Sequence, residues 1–142
     1  MSVLRWIVVV LAAGRAIHSL PFYLAALSGE WLLPPWGAPD PNVLLVLQEI
    51  SAFQLVVWTV YITGYAATAA FLALRTVRFD RFAFWAAAVA VLADLGYWIW
   101  VTSMPEYVSI ETPAFRVEDV IMNMVVFAIL IGTGLVRFNQ RQ

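Results

Sequence analysis

Arg15 and His18 interrupt the first long apolar run of the chain, in LAAGRAIHSLPF at 11–22. Asp94 does the same in AVAVLADLGYW at 88–98. A guanidinium is a permanent, forked cation, and a carboxylate is its natural partner. A carboxylate can also move protons, and an imidazole titrates near neutrality. Around these three the sequence offers Glu49, Gln54, Tyr61, Tyr97, Trp98 and Asn123 as polar or aromatic groups that could face one pocket. The candidate binding set is therefore Arg15, His18, Glu49, Gln54, Tyr61, Asp94, Tyr97, Trp98 and Asn123. If the chain is an enzyme, Glu49, Asp94 and His18 are its acid–base candidates. With no cysteine, thiolate nucleophiles and Cys-ligated metals are excluded, and no triad or metal-ligand spacing occurs. One histidine cannot give a bis-His haem. It could ligate a magnesium tetrapyrrole or form a His–Met haem with Met122 or Met124, but nothing else in the sequence supports either. The expectation is no cofactor and no bound metal.

The elements that must position these residues are apolar helices. Of 142 residues, 63% are hydrophobic and 12% charged, against about 45–50% and about 25% in soluble domains. The mean hydropathy is +0.86. A formal net charge of −1 gives no reason to expect nucleic acid as a partner. A membrane-crossing helix needs about 20 mostly apolar residues, and four segments qualify, at about 6–27, 43–74, 82–104 and 117–136. The expected fold is an all-α integral membrane four-helix bundle forming a single transmembrane domain over 1–142. The second segment reads as one long helix from Pro41 to Leu74, with Gly64 as a possible bend, and Pro21 as a possible bend in the first. Asp40-Pro41 and Thr112-Pro113 have the form of an N-cap followed by proline at the first helical position. LSGEWLLPPWGAP at 27–39 is too short to span and too apolar for an ordinary loop, which suits an outer interfacial lid. A cleaved N-terminal signal is the rival for the first span, but apolar character resumes after Arg15.

Arginines in short loops are retained on the cytoplasmic side. Arg5, Arg75, Arg78, Arg81, Arg137 and Arg141 all fall on one side if both termini are inside, with Arg116 the exception. The expected location is the cell membrane, multi-pass, with cytoplasmic termini.

Depth follows from helical rise. Arg15 lies about 15 Å and Asp94 about 18 Å from the inner ends of their spans, with His18 and Asn123 near 20 Å. Ala83, Ala87, Ala90 and Asp94 share one face of span three, and small residues mark packed membrane-helix faces. Phe84, Val91, Leu95 and Trp98 then read as a stripe for lipid. Ala12, Arg15, Ala16 and Ser19 form the matching face of span one. An Arg15–Asp94 contact is expected, either pinning helix one to helix three or forming a ligand or ion site. His18 is expected beside it, hydrogen-bonded to Tyr61 or Asn123. Near the outer surface, Gln48, Glu49, Gln54, Glu118 and Asp119 could rim a vestibule or simply lie within an aromatic belt.

Pro34-Pro35-Trp36 followed by Glu49, Phe53, Gln54 and Leu55 resembles one stretch of the EXPERA domain of sterol isomerases. That resemblance implies membrane helices with acidic residues facing an apolar pocket. It covers only residues 34 to 55, and the family's histidine and carboxylate positions in spans two and three are not matched, so it assigns no roles. Four spans in a short chain also suit small multidrug resistance exporters, but Arg15 and His18 stand where those carry a buried first-helix glutamate.

Three functions remain open on these grounds. The first is a binding protein or membrane-complex subunit with an outward-facing apolar pocket. Its partners would be the bilayer, an apolar small molecule or lipid, and either further copies of itself or a larger complex. The second is a small proton-coupled transporter. The third is a lipid- or sterol-modifying isomerase-like enzyme, with Glu49 or Asp94 as acid–base group.

Overall fold

A computed structural model describes residues 3–34, 37–39, 41–74, 77–102 and 125. The described residues are all-helical, with four helices and no strand: α1 (Val3–Ser28), α2 (Pro41–Gln48), α3 (Ala52–Ala73) and α4 (Val77–Thr102). The expected fourth span, 117–136, lies outside them save for Val125, as does Asp40. α3 packs against both α1 and α4, while α2 lies against α1.

Arg5–Ser28 and Ala52–Ala73 are long and apolar enough to cross a membrane. Only 28% of each such window is buried, whereas the core helix of a soluble protein would be mostly buried. The outward residues include Val10, Ile17, Val56, Leu92 and Ile99. Apolar side chains both within the bundle and around it suggest membrane association.

The second segment is not one helix. α2 ends at Gln48, and α3 begins after Ser51, whose extended backbone (φ −70, ψ 156) makes it an N-cap. The Gln54 N–H donates to Ser51 Oγ at 3.3 Å, and the Ser51 N–H donates to Gln54 Oε1 at 2.8 Å. This reciprocal capping box satisfies two N–H groups that a helix start leaves open. Ser-x-x-Gln is legible in ISAFQ, beside the polar Gln48 and Glu49. Ser51→Ala is expected to cost about 0.5–2 kcal/mol, seen as faster amide hydrogen exchange at Gln54 and in the first turn of α3.

α3 is continuous through Gly64, from Ala52 to Ala73. A Cβ placed there would lie 2.8 Å from Ala90 Cβ and 3.0 Å from the Ala86 carbonyl oxygen. The glycine permits close approach of α3 to α4. α1 likewise continues through Pro21.

The small-residue face of α4 packs as expected, with Ala83, Ala87, Ala90 and Asp94 fully buried. The expected lipid stripe is corrected. Val91 is fully buried and Phe84 and Leu95 are half-buried, while the Trp98 side chain lies outside the described set. At about 100° per residue these positions flank the alanine face rather than oppose it. Trp85, Val89, Leu92 and Gly96 do oppose it, and all four are exposed.

The helix ends are tied to one another. The Arg5 Nε–H donates to the Leu72 carbonyl at 2.7 Å, so the start of α1 covers the end of α3. At the other end of α1, Gly29 (φ 76) takes the left-handed conformation, and its N–H donates to the Ala25 carbonyl at 2.8 Å. Gln48 Nε2 donates to the Gly29 carbonyl at 2.9 Å, fastening α2 to that cap. Trp31 from the following loop packs edge-on to Phe22 at 5.5 Å, while Leu32 and Leu33 stay exposed.

Candidate functional site: a buried ion pair and a lateral apolar groove

The expected contact forms. Arg15 Nε–H donates to Asp94 Oδ2 and Arg15 Nη2 to Asp94 Oδ1, both at 3.0 Å. The pair is bidentate, the strongest geometry open to these groups. Asp94 is wholly buried and Arg15 is 7% exposed. The Tyr65 hydroxyl donates a third hydrogen bond to Asp94 Oδ2, at 3.1 Å. Beside it lie the buried Tyr61 and Ser19.

Three helices therefore meet in one polar knot, with Arg15 and Ser19 from α1, Tyr61 and Tyr65 from α3, and Asp94 from α4. Arg15 on α1 thereby reaches Asp94 on α4 beside Tyr65 of α3. A lone charge at a bilayer centre costs about 2.5–3.5 kcal/mol on insertion scales. One cation and one anion, joined by two hydrogen bonds and supported by a phenol, present no net charge to an apolar surround. Trp58 extends the stack outward, 6.5 Å from Tyr61 and 5.7 Å from Tyr97, ring to ring.

The structure brings Arg15, Tyr61 and Asp94 together, with Tyr97 one aromatic ring away. Others of the expected set stand apart. His18 is exposed and its ring lies 5.7 Å from Phe22. One residue along a helix turns a side chain by about 100°, which carries His18 off the Arg15–Ser19 face. Glu49 is exposed in the turn after α2. Gln54 is buried, with its amide oxygen engaged in the α3 cap. Asn123, Glu118 and Asp119 lie outside the described residues.

Tyr65 and Trp58 are the participants that the sequence reading missed. Tyr65 is four residues after Tyr61 and Trp58 three before it, so helical spacing alone puts all three on one face. The large polar rings are inconspicuous only because the surrounding segment is so apolar.

A groove of about 430 Å³ runs between α3 and α4, lined by Phe53, Val56, Val60, Leu92, Gly96 and Trp100, with Tyr97 also reaching it. Phe53 and Trp100 meet edge-on across it at 5.7 Å. A Cβ at Gly96 would touch nothing within 4 Å, so the missing side chain widens the groove. Its lining is almost wholly apolar.

No family model, no curated protein and no solved structure matches this chain. What the fold and geometry define is a helical chain with two helices fit to cross a membrane, an enclosed ion pair and an open apolar groove.

Proposed function

We propose that this is a small multi-pass protein of the cell membrane, with four spans and cytoplasmic termini, that binds a lipid chain or another apolar molecule between α3 and α4. The groove carries this reading: ligand sites are concave and mostly apolar, with few polar groups, and this one has the volume, the apolar walls and a glycine that keeps it open. The orientation is supported by the arginine distribution and by the Arg5–Leu72 contact, which puts the start of α1 and the end of α3 on one side. Arg15–Asp94 serves as an internal fastener that holds the flanking helices in register with the groove between α3 and α4.

The transporter and isomerase readings have less support. Each needs an acid–base group presented to a ligand. Asp94 is fully enclosed and committed to three hydrogen bonds, and neither His18 nor Glu49 contacts it.

A diazirine-bearing fatty-acyl lipid tests the binding role. In membranes it should label peptides covering 53–60 and 92–100, and Gly96→Leu, which fills open space, should abolish that labelling while leaving the protein folded. Labelling spread evenly over all outward faces, unchanged by Gly96→Leu, would remove the groove from consideration.

A further inference from the structure

α1, α3 and α4 differ in what each would cost a bilayer alone. α3 carries no charged residue from Ala52 to Ala73. α1 carries Arg15 near its middle, and α4 carries Asp94 well inside its length. On insertion scales an arginine at a helix centre offsets about six apolar residues. Left unpaired, it shifts the spanning equilibrium toward the surface by about a hundred-fold.

The contacts that remove this cost come from the assembled bundle. Arg15 donates twice to the Asp94 carboxylate at 3.0 Å, across 79 residues of sequence. Tyr65 of α3 adds a donor to the same carboxylate at 3.1 Å. α1 precedes α4 in the chain, so during synthesis its cation has no carboxylate until α4 has followed. Once separated, the two charges are not equivalent. A carboxyl group in an apolar surround can take a proton and become neutral, and Tyr65 would still stand beside it. A guanidinium keeps its charge. The helix whose place depends on its partner is therefore α1 rather than α4.

We infer that α1 is a conditional span: it crosses the membrane only while Asp94 holds Arg15, and without that carboxylate it withdraws toward the surface, where the guanidinium meets water. The inference rests on the membrane placement of α1 proposed above. Loss of helix packing would be alike for either partner of the pair, whereas loss of insertion follows only from removing the carboxylate.

The absence of cysteine makes a direct test available. Ser19 is buried one turn beyond Arg15 on the same face of α1, and Ser19→Cys changes its size little. This single cysteine is placed in the full chain in host-cell membranes, permeabilised so that a membrane-impermeant maleimide reaches both surfaces. It should resist labelling in the otherwise unaltered chain and in Arg15→Leu. Asp94→Asn, which keeps the shape and removes the charge, should speed labelling by about ten-fold or more. Arg15→Leu combined with Asp94→Asn should shield the cysteine again. Labelling unmoved by Asp94→Asn, raised as much by Arg15→Leu, or still fast in the double variant overturns the inference. An alkaline carbonate wash separates the two readings. Release of the otherwise unaltered chain defeats the membrane placement, whereas retention with the wrong labelling pattern defeats the conditional span alone.

Discussion

Asp94→Ala is expected to destabilise the folded chain by about 3–5 kcal/mol, because it deprives a buried guanidinium of its carboxylate. The cause is asymmetric desolvation. Arg15 is 7% exposed and loses both of its 3.0 Å contacts with Asp94 at once, and the Tyr65 hydroxyl loses its acceptor as well. Arg15→Ala should cost a similar amount, leaving a carboxylate with no cation in a fully buried position. The double variant should cost clearly less than the sum of the two singles, since residues in one salt-linked network couple by about 0.5–3 kcal/mol. Unfolding in mixed micelles, followed by circular dichroism, measures all three. Strictly additive losses would mean that the two side chains act independently.

Gly64→Leu should be nearly as damaging for the opposite reason. Its Cβ would fall 2.8 Å from Ala90 Cβ and 3.0 Å from the Ala86 backbone oxygen, and the rest of the side chain adds to the overlap. Overpacking of this kind costs about 1–3 kcal/mol, and backbone on one side leaves little room for relaxation. α3 and α4 must separate, which also deforms the groove they form. Adding Ala90→Gly should recover part of the loss by clearing the shorter of the two contacts. Gly14→Leu serves as the contrast: it meets open space, and replacing a helical glycine there should leave unfolding stability in detergent unchanged or raise it by up to about 1 kcal/mol. If Gly64→Leu were equally silent, the close packing of α3 on α4 would be wrong.

Much of the helical architecture can be read from residue spacing. Asp94 falls on the alanine face of α4 at intervals of four, three and four, and Arg15 falls at matching depth on α1. A charge needs a partner where water is scarce, so the pairing follows from arithmetic along two helices. The break between α2 and α3 is marked in the sequence by Gln48, Glu49, Ser51 and Gln54, which fall within seven residues. The polar residues suit a binding rim as readily as a helix end, and only the serine with a glutamine three residues on specifies a cap. The outward stripe of α4 was misassigned for a geometric reason: Phe84, Val91 and Leu95 are bulky, but bulk does not say whether a position flanks the packed face or opposes it. Angle around the helix decides, and it selects Trp85, Val89 and Leu92.

The site was legible only in part. Arg15, Asp94 and Tyr61 are brought together as their types and heights imply. Tyr65 stands on the same helical face as Tyr61 and was there to be counted. His18 shows the limit of reading depth without angle: it is at the right level and on the wrong side. Gln54 suited a binding surface by type but is consumed by the cap of its own helix. The groove leaves almost no trace in the sequence, because Phe53, Val56, Val60, Leu92 and Trp100 are ordinary apolar residues until two helices set them face to face.

The Arg15 guanidinium and the Asp94 carboxylate are joined inside an apolar helical layer. Solid-state NMR on bilayer-reconstituted protein, with 15N in the Arg15 guanidinium and 13C at Asp94 Cγ, reports that contact directly. Strong 15N–13C dephasing, as required by nitrogen–oxygen distances of 3.0 Å, is the expected result. Absence of dephasing in a folded, membrane-embedded sample would contradict it.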